Sequence, residues 1–200
     1  MAKHQGIHIA IEGMDGVGKS TVCKILSERT GFKNIDKPLR FLFNDEGDYA
    51  EYIRIRDKVN AHSDRVFTSW FYGLSATYLY AEHENEDIIT DRHLVSNFIW
   101  SGEPDSYRVF DILVEVLGCP DLTVILKASQ DTILERLNRR DVCDSDIQKA
   151  AKTDYFYSKV DFFFQRYPMP HIEIVTDKLT PGQICDIILD KLVAEGIISG

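Results

Sequence analysis

Eight consecutive residues, Gly13-Met14-Asp15-Gly16-Val17-Gly18-Lys19-Ser20, satisfy the pattern G-x-x-x-x-G-K-[ST]. Residues of these types at this spacing can hold a polyphosphate. Glycines let backbone N–H groups turn inward around phosphate oxygens with no Cβ in the way. A helix beginning at the lysine would aim its positive end at the same anion. Lys19 would then reach the β- and γ-phosphates, and the Ser20 hydroxyl would ligate Mg²⁺. The alternative is a glycine-rich turn that binds nothing, but a chance match in a chain of this size is on the order of one per cent. The loop, extended by Thr21, is expected to bind ATP.

Two further constellations could act on the same phosphates. Asp91-Arg92 follows the apolar run Ile88-Ile89-Thr90. Ligands of open parallel sheets gather at the carboxyl ends of strands, so both side chains can enter the site. Asp91 can hold Mg²⁺ directly or through water. Arg92 has the fork that suits an acceptor phosphate or a phosphoryl group in flight. The plainer reading makes Asp91 a cap and Arg92 a surface residue. Arg136, Arg139 and Arg140 stand at i, i+3 and i+4, opposite Ile133 and Leu137. A basic helical face is usually just solvated. In an acidic chain, ahead of the polar stretch 141–146, it reads better as a lid closing on a triphosphate.

The elements that must position these groups alternate along the chain. Ile7, Ile9 and Ile11 alternate with His8 and Ala10 as a strand that runs into the glycines. Val22, Ile25 and Leu26 mark a helix over 20–29, stopped by Gly31. Further strands are expected at 32–35, 87–90, 122–126 and 171–175, with helices after 129 and from Thr180-Pro181 onward. A long helix over 64–81 lines up Phe67, Trp70, Phe71, Leu74 and Tyr78 on one face. Most of the rings Phe67, Trp70, Phe71, Tyr72 and Tyr78 should pack in a core or a dimer contact. Phe71 is the best candidate for stacking on a nucleobase. Tyr155, Phe156, Phe162, Phe163 and Phe164 read as packing positions of another long helix. Strand and helix in alternation mean an α/β chain with a mostly parallel sheet.

Composition bounds the function. The 200 residues are 44% hydrophobic and 28% charged, enough for a core and against disorder. A net charge of −9 opposes broad binding to nucleic acid or anionic membranes. The apolar runs are too short to span a bilayer, and nothing at the start resembles a signal peptide. Cys23, Cys119, Cys143 and Cys185 form no CxxC, which argues against a disulfide framework or a zinc site. One cytoplasmic domain over 1–200 is the expectation.

The motifs together resemble the thymidylate kinases, within the superfamily that also holds the deoxynucleoside kinases. Glu12-Gly13-Met14-Asp15 through Lys19-Ser20-Thr21 is similar to that family's E-G-x-D/E-x-x-G-K-[ST]-T. Asp91-Arg92-His93-Leu94-Val95-Ser96 is similar to its D-R-Y-x-x-S. Pro120-Asp121-Leu122-Thr123, followed by Glu135-Arg136-Leu137 and Arg139-Arg140, parallels its P-D-L-T strand and the arginine-bearing helix before its lid. The resemblance implies a P-loop three-layer α/β/α fold with a five-stranded parallel sheet, a short helical lid near 139–153 and a homodimer through the long helix. It implies ATP with Mg²⁺ as donor, with Lys19, Asp91, Arg92, Arg136 and Arg140 as catalytic residues, and Asp15 near the sugar 3′-hydroxyl of the acceptor.

The departures fall on the acceptor side. Where the family reads R-E-P-G-G, this chain has Asp36-Lys37-Pro38-Leu39-Arg40. Lys37 or Arg40 could take over the acceptor phosphate, although a lysine cannot reproduce a bidentate clamp. Ser75 stands where an arginine usually reads the pyrimidine, His93 replaces the tyrosine, and Asp144-Ser145 replaces the lid's D-R. A lone histidine such as His93 is more often structural. The expected activity is an ATP-dependent nucleoside monophosphate kinase, most like a dTMP kinase, with Asp15, Lys37, Phe71 and Arg92 around the acceptor. One alternative is a deoxynucleoside kinase with Asp36 as general base, if the strand end is shifted by a residue. The other is a P-loop switch, but the chain has no N/T-K-x-D motif for reading guanine.

Overall fold

Five strands form one all-parallel sheet in the order β2-β3-β1-β4-β5. They are β1 (His8–Gly13), β2 (Lys33–Asp36), β3 (Ile88–Asp91), β4 (Leu122–Lys127) and β5 (His171–Val175). The computed structural model describes residues 4–44, 46, 48–141 and 146–199. Every residue of the central β1 is buried, as a strand covered on both faces requires. Alternation sends Ile9 and Ile11 to one face and His8, Ala10 and Glu12 to the other. Helices cover both faces, so the α/β class and the parallel sheet expected from the sequence are found.

The helix α1 (Lys19–Thr30) leaves the glycine loop and packs against α10 (Pro181–Ala194). Gly31 ends α1 in the left-handed conformation, its N–H bonded to Ser27 O. Thr180 and Gln183 cap α10 reciprocally, with Pro181 in the first turn. Between β2 and β3 come α2 (Leu39–Phe43), α3 (Tyr49–Asn60) and α4 (Arg65–Glu82); α5 (Leu94–Ser101) and α6 (Tyr107–Leu117) follow β3. After β4 the chain forms α7 (Gln130–Arg140), α8 (Ile147–Ala150) and α9 (Thr153–Arg166). Among the described residues no helix is long and apolar enough to cross a membrane.

Phe98 is the hub of an aromatic core, with ring centroids 5.0 Å from Phe110, 5.3 Å from Phe163 and 5.6 Å from Tyr107. On α9, Phe156 and Phe163 are fully buried, Phe162 is partly exposed but stacks on Phe98, and Phe164 packs against the core, while Tyr155 is exposed.

Of the two packings expected for the α4 stripe, core or dimer contact, the core is not the one found for Phe67, Trp70 and Leu74, which face away from it. Phe67, Trp70 and Leu74 are exposed at 47%, 45% and 44%, while Ser69, Gly73, Ala76 and Leu79 line the buried side. The reason is close helix packing. A Cβ on Gly73 would lie 2.8 Å from Leu113 Cδ1 of α6, so only glycine fits at that contact. Phe67 and Trp70 are left on the outer surface.

Candidate active site

The glycine loop is anchored by its own apolar side chains. Met14 and Val17 are both 1% exposed. Gly13, at φ +146°, lies where a Cβ would meet Leu126 O at 2.5 Å, so the turn tolerates no other residue there. Gly18 caps α1 at φ +103°. With the other side chains turned inward or absent, Asp15 alone among residues 13–18 presents a polar side chain to the space above the loop.

Lys19 is almost fully buried. Its Nζ donates to Met14 O at 2.8 Å and lies 3.8 Å from Asp15 Oδ1. Burial, and next the Arg92 charge, push its pKa down to about 8. Ser20 Oγ donates to Asp91 Oδ2 at 2.5 Å. The hydroxyl and carboxylate expected to share a divalent cation therefore adjoin, and both are hard oxygen donors of the kind Mg²⁺ takes alongside phosphates. Thr21 is exposed one residue further on.

Arg92 lies at the heart of the site, at the exit of β3. Its Nη2 donates to Asp15 Oδ1 at 2.5 Å, and its Nη1 to Gly13 O at 3.1 Å and Ser96 Oγ at 2.9 Å. Burial opposes the charge, but Asp15, Asp91 and Glu12 hold the guanidinium protonated. Asp15 also faces Lys149 Nζ of α8 at 3.5 Å. Burial opposes its ionisation as well, yet Arg92, Lys19 and Lys149 keep its carboxyl well below the usual range. Three cations from the loop helix, the sheet and the lid segment thus surround one carboxylate.

Arg136 lies beneath the loop: it donates to Val17 O at 3.2 Å, Thr176 Oγ1 at 2.9 Å and Thr176 O at 2.8 Å, tying the loop to the segment after β5. Arg140 is exposed and pairs with Asp146 at 3.1 Å. Asp144-Ser145 lie outside the described residues.

On the acceptor side, Lys37 holds Asp36 at 2.7 and 2.9 Å and sits over the Tyr49 ring. It adopts φ +49°, uncommon for a residue with a Cβ. Phe71 stacks on Phe43 with centroids 6.1 Å apart and lies edge-on to Tyr72. Tyr72 donates to Asn60 Oδ1 at 2.9 Å. Burial raises its pKa, opposed by that hydrogen bond and by the charges of Arg56, Arg92 and Lys149. Burial and the neighbouring Tyr72 likewise raise the pKa of Tyr52, which lies near Arg56 and Asp36. The α3 residues Tyr52 and Arg56 had no expected role, although Asp48 followed by Tyr52 and Val59 carries a helix cap and a spacing that could have marked them. Lys149 had no signal beyond its place in the lid stretch. His93 points its ring away from the phosphate side, onto His8 and Tyr80.

A phosphate loop at the end of the central strand, with a basic residue at the exit of its neighbour, matches the P-loop α/β kinase fold. The chain belongs to the AAA_18 family (AAA domain), whose profile matches residues 9–156. Its curated relatives include a thymidylate kinase of Rickettsia bellii, 24% identical over 94% of this chain and 96% of that one. A deoxyguanosine kinase of Bacillus subtilis is 25% identical over 74% of this chain and 72% of its own. Among solved structures, the deoxyadenosine kinase of M. mycoides with bound dATP superimposes at a TM-score of 0.65. It is 19% identical, over 93% of this chain and 98% of that one, a likeness of fold. The resemblance read from the motifs therefore holds at the level of the superfamily.

Proposed function

We propose that the chain transfers the γ-phosphoryl group of ATP to the phosphate of a deoxynucleoside monophosphate, with dTMP the foremost acceptor, giving the diphosphate and ADP. The observation that carries this reading is the convergence of Lys19, Arg92 and Lys149 on Asp15 beside the Ser20–Asp91 pair. A phosphoryl group in transit needs little covalent help and much fixed positive charge, which these side chains supply. The curated thymidylate kinases support the choice of acceptor.

In this reading the loop amides and Lys19 bind the donor phosphates. Arg92 orients the acceptor phosphate oxygen toward the γ-phosphorus, and the bond to the β,γ-bridging oxygen breaks as the new P–O bond forms. Ser20 and Asp91 would hold Mg²⁺, which supplies charge neutralisation when bound. Lys149 brings a further cation as α8 covers the site and excludes water. Asp15 reaches toward the acceptor sugar, and Phe71 and Tyr72 provide ring faces for the base.

A second reading, a deoxynucleoside acceptor, is favoured by one specific feature. β2 ends at Asp36, one residue later than the sequence pattern suggests. Asp36 thereby becomes the last strand residue, in register with Asp91, where a carboxylate could take the proton of a 5′-hydroxyl. It also neutralises Lys37, the lysine otherwise available to an acceptor phosphate.

ADP release from ATP·Mg²⁺, measured against a panel of nucleosides and nucleoside monophosphates, separates the two. Stimulation by dTMP or another monophosphate supports the first. Stimulation by nucleosides alone supports the second and makes Asp36→Asn the next variant. A flat panel sinks both and leaves a P-loop switch.

The exposed Phe67, Trp70 and Leu74 of α4, with Val116 of α6, support a homodimer in which a second copy covers this face.

A further inference from the structure

The last polar side chain before the glycine loop is Glu12, a carboxylate with no exposed surface. A carboxylate removed from water needs partners. Its Oε1 accepts from the backbone N–H of His93 at 2.7 Å and of Ser96 at 3.2 Å. Its Oε2 accepts a short hydrogen bond from the Ser96 hydroxyl. His93 is the N-cap of α5 and makes no side-chain cap of its own. The negative group favoured at that helix N-terminus therefore comes from β1.

The Ser96 hydroxyl has one proton and gives it to Glu12. Its oxygen is left to accept, and it accepts from Arg92 Nη1 at 2.9 Å. Arg92 holds this pose from a backbone at φ +81°, a conformation that side-chain-bearing residues rarely adopt and that persists only where the surroundings over-determine it. Its own N–H is bound to Ile11 O at 3.0 Å, in the same strand as Glu12. The strand that feeds the phosphate loop thus sets both the backbone and the side chain of the arginine across from it.

We propose that Glu12, acting through the Ser96 hydroxyl, is the positioning residue that fixes the Arg92 guanidinium for phosphoryl transfer. The inference rests on the kinase reading above and gives a role to Glu12 and Ser96, which the motifs contain without assigning them one. Charge and polarity both matter. A glutamine at position 12 keeps the shape but offers an N–H in place of one oxygen. Ser96 then has no carboxylate to accept its proton, and its oxygen is claimed by a second donor in competition with Arg92.

The test uses the full chain with Glu12→Gln and Ser96→Ala, each alone and combined with Arg92→Ala. With the acceptor that stimulates ADP release, either single variant is expected to lower kcat about ten- to a hundredfold, the range for a lost hydrogen bond to a charged group, with KM for ATP little changed. In the Arg92→Ala background Ser96→Ala should cost nothing further, because its partner is already gone. Ser96→Thr, which keeps the hydroxyl, should restore most of kcat. The Arg92 Nε–H resonance in ¹⁵N NMR should shift in Ser96→Ala. Equal losses with and without Arg92, or an Arg92 resonance identical in wild type and Ser96→Ala, would overturn the proposal. If no acceptor stimulates the wild type, the kinase reading fails, and the resonance alone decides whether Glu12 and Ser96 position Arg92.

Discussion

Arg92 Nη2 stands 2.5 Å from Asp15 Oδ1, a contact between the exit of β3 and the phosphate loop on β1. Together with Lys19 at 3.8 Å and Lys149 at 3.5 Å, it makes Asp15 an anion paired with three cations at the proposed phosphate site. Asp15→Asn removes that anion and keeps the shape. The net attraction for ATP rises, and the expected result is several-fold tighter nucleotide binding, about 1 kcal/mol for partly solvated charges a few ångströms apart. Isothermal titration of both proteins with ATP·Mg²⁺ measures it. Weaker binding would mean that Asp15 serves mainly to hold the loop together. In the same variant, an unchanged preference between deoxy- and dideoxynucleotide acceptors would remove Asp15 from the sugar.

Lys19 gives a pH-dependent prediction. With its pKa pushed down to about 8 by burial and by Arg92, half of the free protein has lost this proton near pH 8. Bound phosphates favour the charged form and raise the pKa again. Nucleotide binding should therefore take up close to one proton at pH 8.5–9 and almost none at pH 6.5. Titration calorimetry in buffers of different ionisation enthalpy reads the uptake directly. Lys19→Ala should abolish the uptake and lower phosphoryl transfer about 10²–10³-fold, as removal of a preorganised charge does, with the circular dichroism spectrum unchanged.

Much of this site was legible because its chemistry is written in consecutive residues. A phosphate loop needs its glycines, lysine and serine at fixed spacing, and Asp91-Arg92 follows directly on an apolar strand. The acceptor side was less legible because it is assembled from separate helices. Tyr52 and Arg56 come from α3 and Lys149 from α8, each an ordinary residue until the fold brings it in, and only Tyr72 of α4 stood among the candidate stacking aromatics. The element α5 was hidden for another reason. Leu94, Val95, Ser96, Asn97, Phe98 and Ile99 are all buried, so the helix shows no polar face and no period. Which side of α4 is buried was not legible, because the apolar pattern allows core or dimer contact, whereas the space beside Leu113 decides which side packs inward.

Behind Arg92 the sheet buries a cluster that makes the fold sensitive to acid. His8 bonds to Tyr80 Oη at 2.7 Å and Thr90 Oγ1 at 2.9 Å, and the His93 ring packs on both His8 and Tyr80 with its Nε2 unpartnered. Burial, with His4 nearby, pushes the His93 pKa down to about 3 from an ordinary 6.5. Between those values the unfolded chain takes up a proton that the folded chain refuses. Stability is therefore complete above about pH 6.5 and falls as the pH drops toward 3, by up to about 1.4 kcal/mol per pH unit for this group. His93→Phe should flatten the slope of unfolding free energy against pH over this range, measured by urea titration. An unaltered slope would show that His93 is protonated in the folded protein.

The outer face of α4 bears on assembly. Phe67, Trp70 and Leu74 lie at i, i+3 and i+7, all more than two-fifths exposed, and Val116 of the adjacent α6 is 39% exposed. Scattered apolar residues on a surface need no explanation, but three large ones along one helix face carry a solvation cost that a second copy can relieve. The buried side of α4 is already complete, with Gly73 against Leu113, so the stripe is free to form an interface without disturbing the core. The wild type is expected to run as a dimer in light scattering coupled to size exclusion. Trp70→Glu, which places a charge at the centre of the stripe, should run as a monomer and keep its far-ultraviolet spectrum. Lys19, Ser20, Asp91 and Arg92 lie on other elements, so ATP binding should persist in the monomer. A wild type that is monomeric at every concentration would assign the stripe to some other contact, and a Trp70→Glu dimer would move the interface off α4.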